Sequence, residues 1–153
     1  MNVNNCPFCL PEIENATFAK SENFRAVYNL APVFPGHVLV MPKKHIKSFI
    51  EIGEDLLTEM VVFSQKVVKT LKISFNCEAF DWTIQDGKHA GQSVEHMHLH
   101  IIPRYENDLP NPGDWYPVLQ QRQIEIIDSF SRPKLPKDEL ETIVKKLRED
   151  YKF

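Results

Sequence analysis

Three histidines at two-residue spacing, His96, His98 and His100, are the residues of this 153-residue chain best placed to do chemistry. Extended backbone sends alternate side chains to opposite faces. The stretch His96-Met97-His98-Leu99-His100-Ile101-Ile102, read as a strand ending at Pro103, therefore puts three imidazoles on one side. Met97, Leu99 and Ile101 fall on the other, in a core. Imidazoles in a row are poor packing material, because each leaves a ring nitrogen to satisfy and a protonated pair repels. The bland reading is an exposed polar face or a zinc site. The active reading is nucleophilic catalysis: imidazole is largely unprotonated at neutral pH, and a protonated neighbour can supply a proton to a leaving phosphate. Gly91-Gln92-Ser93, just upstream, is a turn that can aim N–H groups and the Ser93 hydroxyl at phosphate oxygens. Such a turn alone is common; followed by the triple histidine it is specific.

Cys6-Pro7-Phe8-Cys9 is a second cluster. Taken alone, a CxxC is half a zinc site, a redox pair or two inert thiols. No thioredoxin-like βαβ pattern surrounds it, which weakens the redox reading. Zinc wants four N or S ligands in a tetrahedron, so two more would have to come from distant positions. Cys77 reads as a small buried residue, and His89 as a solvated residue of a polar loop. Lys145-Lys146 reads as the wet face of a terminal helix.

These groups need a scaffold. The length suits a single domain over 1–153, with a core of about 6–105 and a C-terminal loop and helix in 106–153. β-prone stretches occur around Phe18 and Arg25–Tyr28, and Pro32 and Pro35-Gly36 mark a turn. His37–Met41 reads as a buried strand. Glu54–Ile73 has helical spacing, with Leu56, Leu57, Met60, Val61, Val67, Val68 and Leu71 on one stripe. Ala79–Ile84 reads as a strand closed by Asp86-Gly87. Asn107–Tyr116 is rich in Pro, Asn and Asp and reads as a loop, Ile124–Ile127 as a short strand or helical turn, and Asp138–Tyr151 as an amphipathic helix with Leu140, Ile143, Val144 and Leu147 inward. Strands joined by short turns with few helices make this an α+β domain with an antiparallel sheet.

The net charge of −3 argues against a polyanion-binding surface, so no nucleic-acid partner is expected, although a small nucleotide remains compatible. No apolar run approaches the roughly 18 residues of a membrane span. The polar N-terminus lacks a signal-peptide core. A cytoplasmic location is expected, and an odd cysteine count fits a reduced compartment.

Gln85-Asp86-Gly87, Ala90-Gly91-Gln92-Ser93-Val94 and His96-x-His98-x-His100-Ile-Ile-Pro103-Arg104 together resemble the histidine-triad (HIT) superfamily. Asn29 and Pro35-Gly36-His37-Val38-Leu39-Val40 resemble its other shared block, and the resemblance spans roughly Cys6 to Arg104. The Gln-Asp-Gly and Pro-Arg versions are similar to the fragile-histidine-triad branch, which cleaves dinucleoside polyphosphates such as diadenosine triphosphate. The resemblance implies that His98 attacks the α-phosphorus to form a nucleotidyl-histidine that water hydrolyses, releasing a nucleoside monophosphate. It implies that His100 contacts the phosphate and assists the leaving group, with His96 in the catalytic cluster and His37 buttressing it. Gln85, Gly91, Gln92, Ser93 and Val94 would hold the phosphates, a divalent cation could accompany the polyphosphate, Asn29 would bond the ribose, and an apolar slot including Phe8 and Val27 would take the base. The implied fold is a five-stranded antiparallel sheet with two main helices, continued across a homodimer. The CxxC resembles other HIT branches, in which zinc binds two further histidines; here those positions are His45 and His96. Trp115 and Tyr116 read as packing or surface residues, or as a cover over a second nucleoside. A purine nucleoside phosphoramidase and a slow nucleotide-binding regulator are the alternative activities.

Overall fold

Among the described residues, turn chemistry and alternation produce five strands: β1 (Thr17–Lys20), β2 (Phe24–Tyr28), β3 (Val38–Pro42), β4 (Ala79–Ile84) and β5 (Leu99–Arg104). In the computed structural model, which describes residues 3–111 and 133–153, they form one sheet in the order β1-β2-β3-β5-β4, antiparallel throughout. Among the described residues, two α-helices complete it, α1 (Glu54–Phe75) and α2 (Lys137–Asp150). The α+β architecture expected from the sequence is the one observed. Residues Trp115, Tyr116 and Ile124–Ile127, and the end of the expected loop, lie outside the described residues. Among the described residues, no helix is long and apolar enough to cross a membrane.

Helix α1 starts with Glu54 and Asp55, which suit the positive end of its dipole, and stops at Asn76 in the left-handed conformation (φ 50°). Its buried side comprises Met60, Phe63, Ser64, Val67, Thr70, Leu71 and Ser74. Val61 is 47% exposed and does not belong to this stripe. It lies about 100° around the helix from Met60, whereas Phe63 and Ser64, three and four residues on, return to the same side. Buried Thr70 satisfies its hydroxyl by donating to the Lys66 carbonyl at 3.1 Å. On α2, Leu140, Val144 and Leu147 are buried and Ile143 packs beside them, as the periodicity predicts.

The histidine strand differs from its sequence outline at both ends. It begins at Leu99, not His96. The His96 carbonyl accepts from the His98 ring at 2.7 Å, and the Met97 N–H donates to Ile46 at 2.7 Å, so neither serves a ladder. It also continues through Pro103 to Arg104. Pairing with β3 runs only from Leu99 to Ile101, so Pro103 has a strand neighbour on the β4 side alone, where a missing N–H is tolerated.

Register sorts the faces. Val27, Leu39, His100 and Thr83 lie opposite one another across four strands and share one face; Ala26, Val40, Leu99 and Ile84 share the other. Met97, Leu99 and Ile101 join the apolar core as expected.

The turn that delivers His37 is gripped from several sides. The Gly36 N–H donates to the Tyr28 hydroxyl at 3.1 Å, and the Tyr105 hydroxyl donates to the Pro35 carbonyl at 2.8 Å. Arg104 pairs with Asp81 at 2.6 Å and Asp108 at 2.7 Å, and its guanidinium covers the Phe34 ring. Gly36 has φ +83°, and a Cβ there would sit 2.8 Å from Pro103 Cγ and 3.1 Å from the Phe75 ring. Gly36→Ala combines left-handed strain with overpacking and should cost about 1–3 kcal/mol, seen as a lower urea midpoint at unchanged slope. An unchanged midpoint would remove the packing argument.

Candidate active site and metal centre

Hydrogen bonds fix the histidine tautomers in sequence. The Val33 N–H donates to His37 Nδ1 at 3.1 Å, which puts the ring proton of neutral His37 on Nε2. That Nε2–H donates to His100 Nδ1 at 2.9 Å, so neutral His100 carries its own proton on Nε2. His98 is set independently: its Nδ1–H donates to the His96 carbonyl at 2.7 Å, and the lone pair resides on Nε2. The His98 and His100 rings are 4.8 Å apart at 65°. All three rings are buried, which strengthens any charge interaction made there.

His96 does not face this group. Its Nδ1 lies 3.5 Å from Cys6 Sγ and 3.4 Å from Cys9 Sγ, and its Nε2–H donates to the Pro42 carbonyl at 2.9 Å. Of the two roles expected for it, its ring is arranged for metal ligation. His45 Nδ1 lies 3.4 Å from Cys9 Sγ, and the four ligand atoms of Cys6, Cys9, His45 and His96 fall within 4.8 Å of one another. Bonds of about 2.3 Å to sulfur and about 2.05 Å to nitrogen at the tetrahedral angle set S and N about 3.6 Å apart, close to the spacings found. Burial pushes the His96 ring down to about 4, against the pull of the Pro42 carbonyl, so it is neutral, as a ligand must be. Burial, with Cys6 beside it, pushes the Cys9 thiol up to about 11. Two adjacent thiolates need a cation, and a divalent metal supplies one. These residues could hold a metal ion. The Pro42 carbonyl on His96 Nε2–H is the kind of outer partner that orients a ligating imidazole.

The glycine-containing loop is held by bonds of its own. After a 3-10 turn at Lys88–Ala90, Gly91 adopts φ +93°. The Gly91 N–H donates to Lys88 and the Gln92 N–H to Gly87, at 3.1 and 3.2 Å. The Gln92 side chain accepts from Gly87 at 2.8 Å and donates to the Lys47 carbonyl at 3.0 Å. These bonds shape and staple the loop. Gln85 directly follows β4, whose last residue, Ile84, pairs with Leu99 next to His98. Its Oε1 is buried with no hydrogen-bond partner among the described residues. An amide can flip to place a donor there, which would suit a phosphate oxygen.

Beside the histidines opens a cavity of about 480 Å³, lined by Phe8, Val27, Asn29, Leu39, Ser93 and Val94 among others. Phe8 also packs edge-on to His98, at 5.2 Å between centroids. Asn29 Oδ1 accepts from the Ala31 N–H at 2.9 Å, and its amide nitrogen lies 3.3 Å from His37 Nε2. Sequence reasoning missed the far wall, formed by Lys134, Leu135, Lys137, Leu140 and Glu141. The Leu135 N–H donates to the Leu30 carbonyl at 2.8 Å, tying this wall to the end of β2. Only Leu140, inward in the helical periodicity, carried a signal.

The sequence matches the HIT domain family over residues 11–107. A bis(5'-adenosyl)-triphosphatase of Dictyostelium discoideum is 36% identical over 110 residues, covering 72% of this chain and 74% of that protein. A bifunctional bis(5'-adenosyl)-triphosphatase/adenylylsulfatase of Arabidopsis thaliana is 30% identical over 125 residues, covering 82% and 68%. A solved hypothetical histidine triad nucleotide-binding protein of Sulfolobus tokodaii superposes with a TM-score of 0.73 at 31% identity, covering 95% of this chain and 91% of that one.

Proposed function

This chain belongs to the HIT domain family, and from that premise we propose that it hydrolyses dinucleoside polyphosphates through a nucleotidyl-histidine on His98. The observation that carries the reading is the 2.7 Å bond from His98 Nδ1–H to the His96 carbonyl, which leaves Nε2 as the nucleophilic nitrogen.

In the first step an Nε2–P bond forms at the α-phosphorus, and the P–O bond to the outgoing nucleoside polyphosphate breaks. In the second, water attacks the same phosphorus, the N–P bond breaks and a nucleoside monophosphate departs. His100, held by His37, presents an Nε2–H donor to the leaving oxygen. A phosphate leaving group is a weak base, so a fixed donor stabilises its developing charge without full protonation. Gln85, Ser93 and Val94 hold phosphate oxygens, while Gly91 and Gln92 shape the loop. Asn29 meets the ribose, and the cavity between Phe8, Val27 and Leu39 takes the base. A divalent cation can accompany the polyphosphate.

Diadenosine triphosphate in heavy-oxygen water tests this. The label should enter AMP and not ADP. Label in ADP would overturn attack at the α-phosphorus. Faster cleavage of an aminoacyl phosphoramidate of AMP would favour a phosphoramidase.

Zinc at Cys6, Cys9, His45 and His96 is the metal we propose, in a structural role, and a reduced cytoplasmic compartment suits its thiol ligands. We also propose a homodimer through the β4 edge, where Trp82 is 43% exposed. Sedimentation should give twice 17.8 kDa, and Trp82→Lys should give the monomer mass. A wild-type monomer at micromolar concentration would refute the dimer.

A further inference from the structure

Phe8 stands between the two cysteines of the metal cluster, and its ring reaches the reacting histidine. It packs edge-on to His98 at 5.2 Å and 74°, and to His96 at 5.8 Å and 78°, and it lines the cavity. His96 joins the same two sites by another route. Its ring lies among the cysteines, and its carbonyl holds His98 Nδ1–H at 2.7 Å.

What fastens residues 6–9 to the rest of the protein is therefore decisive. Their backbone bonds are local: Cys6 N–H to Val3 and Cys9 N–H to Cys6. Among the described residues, the hydrogen bonds from Cys6–Cys9 to distant parts of the chain are the three sulfur–imidazole contacts to His45 and His96, at 3.4–3.5 Å. Thiol contacts of this kind are weak. A divalent ion bonded to the same four atoms replaces them with coordinate bonds and fixes the separations.

We propose that the metal centre positions the active site: when occupied, it clamps Phe8 against His98 and the base cavity and holds the His96 carbonyl that orients the His98 ring. His96 is thus a positioning residue, while Phe8 both lines the base cavity and packs on the His98 ring. Losing the metal loosens the base slot and releases His98 from a single tautomer. The inference rests on the nucleotide reading of the cavity.

The test compares zinc-loaded protein, protein stripped by chelator under reducing conditions, and Phe8→Ala with its metal retained. AMP binding is read by calorimetry. The His98 tautomer is read from its ring nitrogen chemical shifts. Stripping should weaken AMP binding about tenfold, a free-energy change of about 1.4 kcal/mol, and give mixed His98 tautomers; zinc should restore both. Phe8→Ala should keep one metal per chain and lose a similar factor in AMP binding. If stripped protein with an unchanged far-ultraviolet spectrum binds AMP as before and keeps Nδ1–H, the coupling is wrong. If stripping unfolds the chain, Phe8→Ala decides, and unchanged AMP binding there overturns the proposal. Protein that takes up no zinc also overturns it. Loaded wild type that fails to bind AMP would refute the nucleotide reading instead, and the tautomer comparison would still judge the coupling.

Discussion

His98→Asn should lower the turnover of diadenosine triphosphate by at least about 10⁴-fold while AMP binding stays within a few-fold of wild type. Asparagine offers no ring nitrogen to bond phosphorus, so the two-step route closes. His98 does not itself line the cavity, whose walls include Val27, Leu39 and Leu135. Intact-mass analysis after brief exposure to substrate should show an added nucleotidyl group on wild type and none on the variant. Variant turnover within about tenfold of wild type would remove His98 as the nucleophile, because losing a covalent route costs far more than that. Loss of AMP binding in the variant would instead assign His98 a binding role.

Removing the metal should have the largest effect on stability. Binding to the native state alone adds RT ln(1 + [L]/Kd), about 4 kcal/mol at a thousandfold saturation. For a domain of this size that corresponds to a fall in Tm of roughly 10 °C. Chelator should produce that fall in wild type. Cys9→Ser should start at the lower Tm and be indifferent to chelator, since its tetrahedron lacks one corner. A wild-type Tm unmoved by chelator, together with no bound zinc, would leave the four residues as packing partners.

Much of this arrangement was legible because its signals are periodic or chemically unusual. Alternation placed Met97, Leu99 and Ile101 in the core, and unbroken helical spacing located α1. What escaped depends on bonds between distant residues or on a competing local bond. The His98 ring takes the His96 carbonyl, which delays the start of β5, and no strand pattern encodes that. The Gln92 amide bridges Gly87 and Lys47, a bond set by where the loop lies in space and not readable from the motif. The bond between Leu135 and Leu30 joins residues over a hundred positions apart, and leucine carries no polar side-chain signal for it. Placing Val61 on the buried stripe counted apolar residues; the turn angle favoured Phe63.

The far wall of the cavity also bears on how the protein is made. Synthesis runs from the N-terminus, at about 5–20 residues per second, and domains gather structure as chain becomes available. Every cysteine of the Cys/His cluster and every histidine of the triad precedes Arg104, but Leu135 and Leu140, which line the cavity proposed for the base, are translated later. A nascent chain can therefore assemble its sheet and gather the four candidate metal ligands well before it can complete the cavity proposed for the nucleoside. On the proposed reading, metal would be available to assist folding during translation, whereas nucleotide could stabilise the protein only once Leu135 and Leu140 have been made.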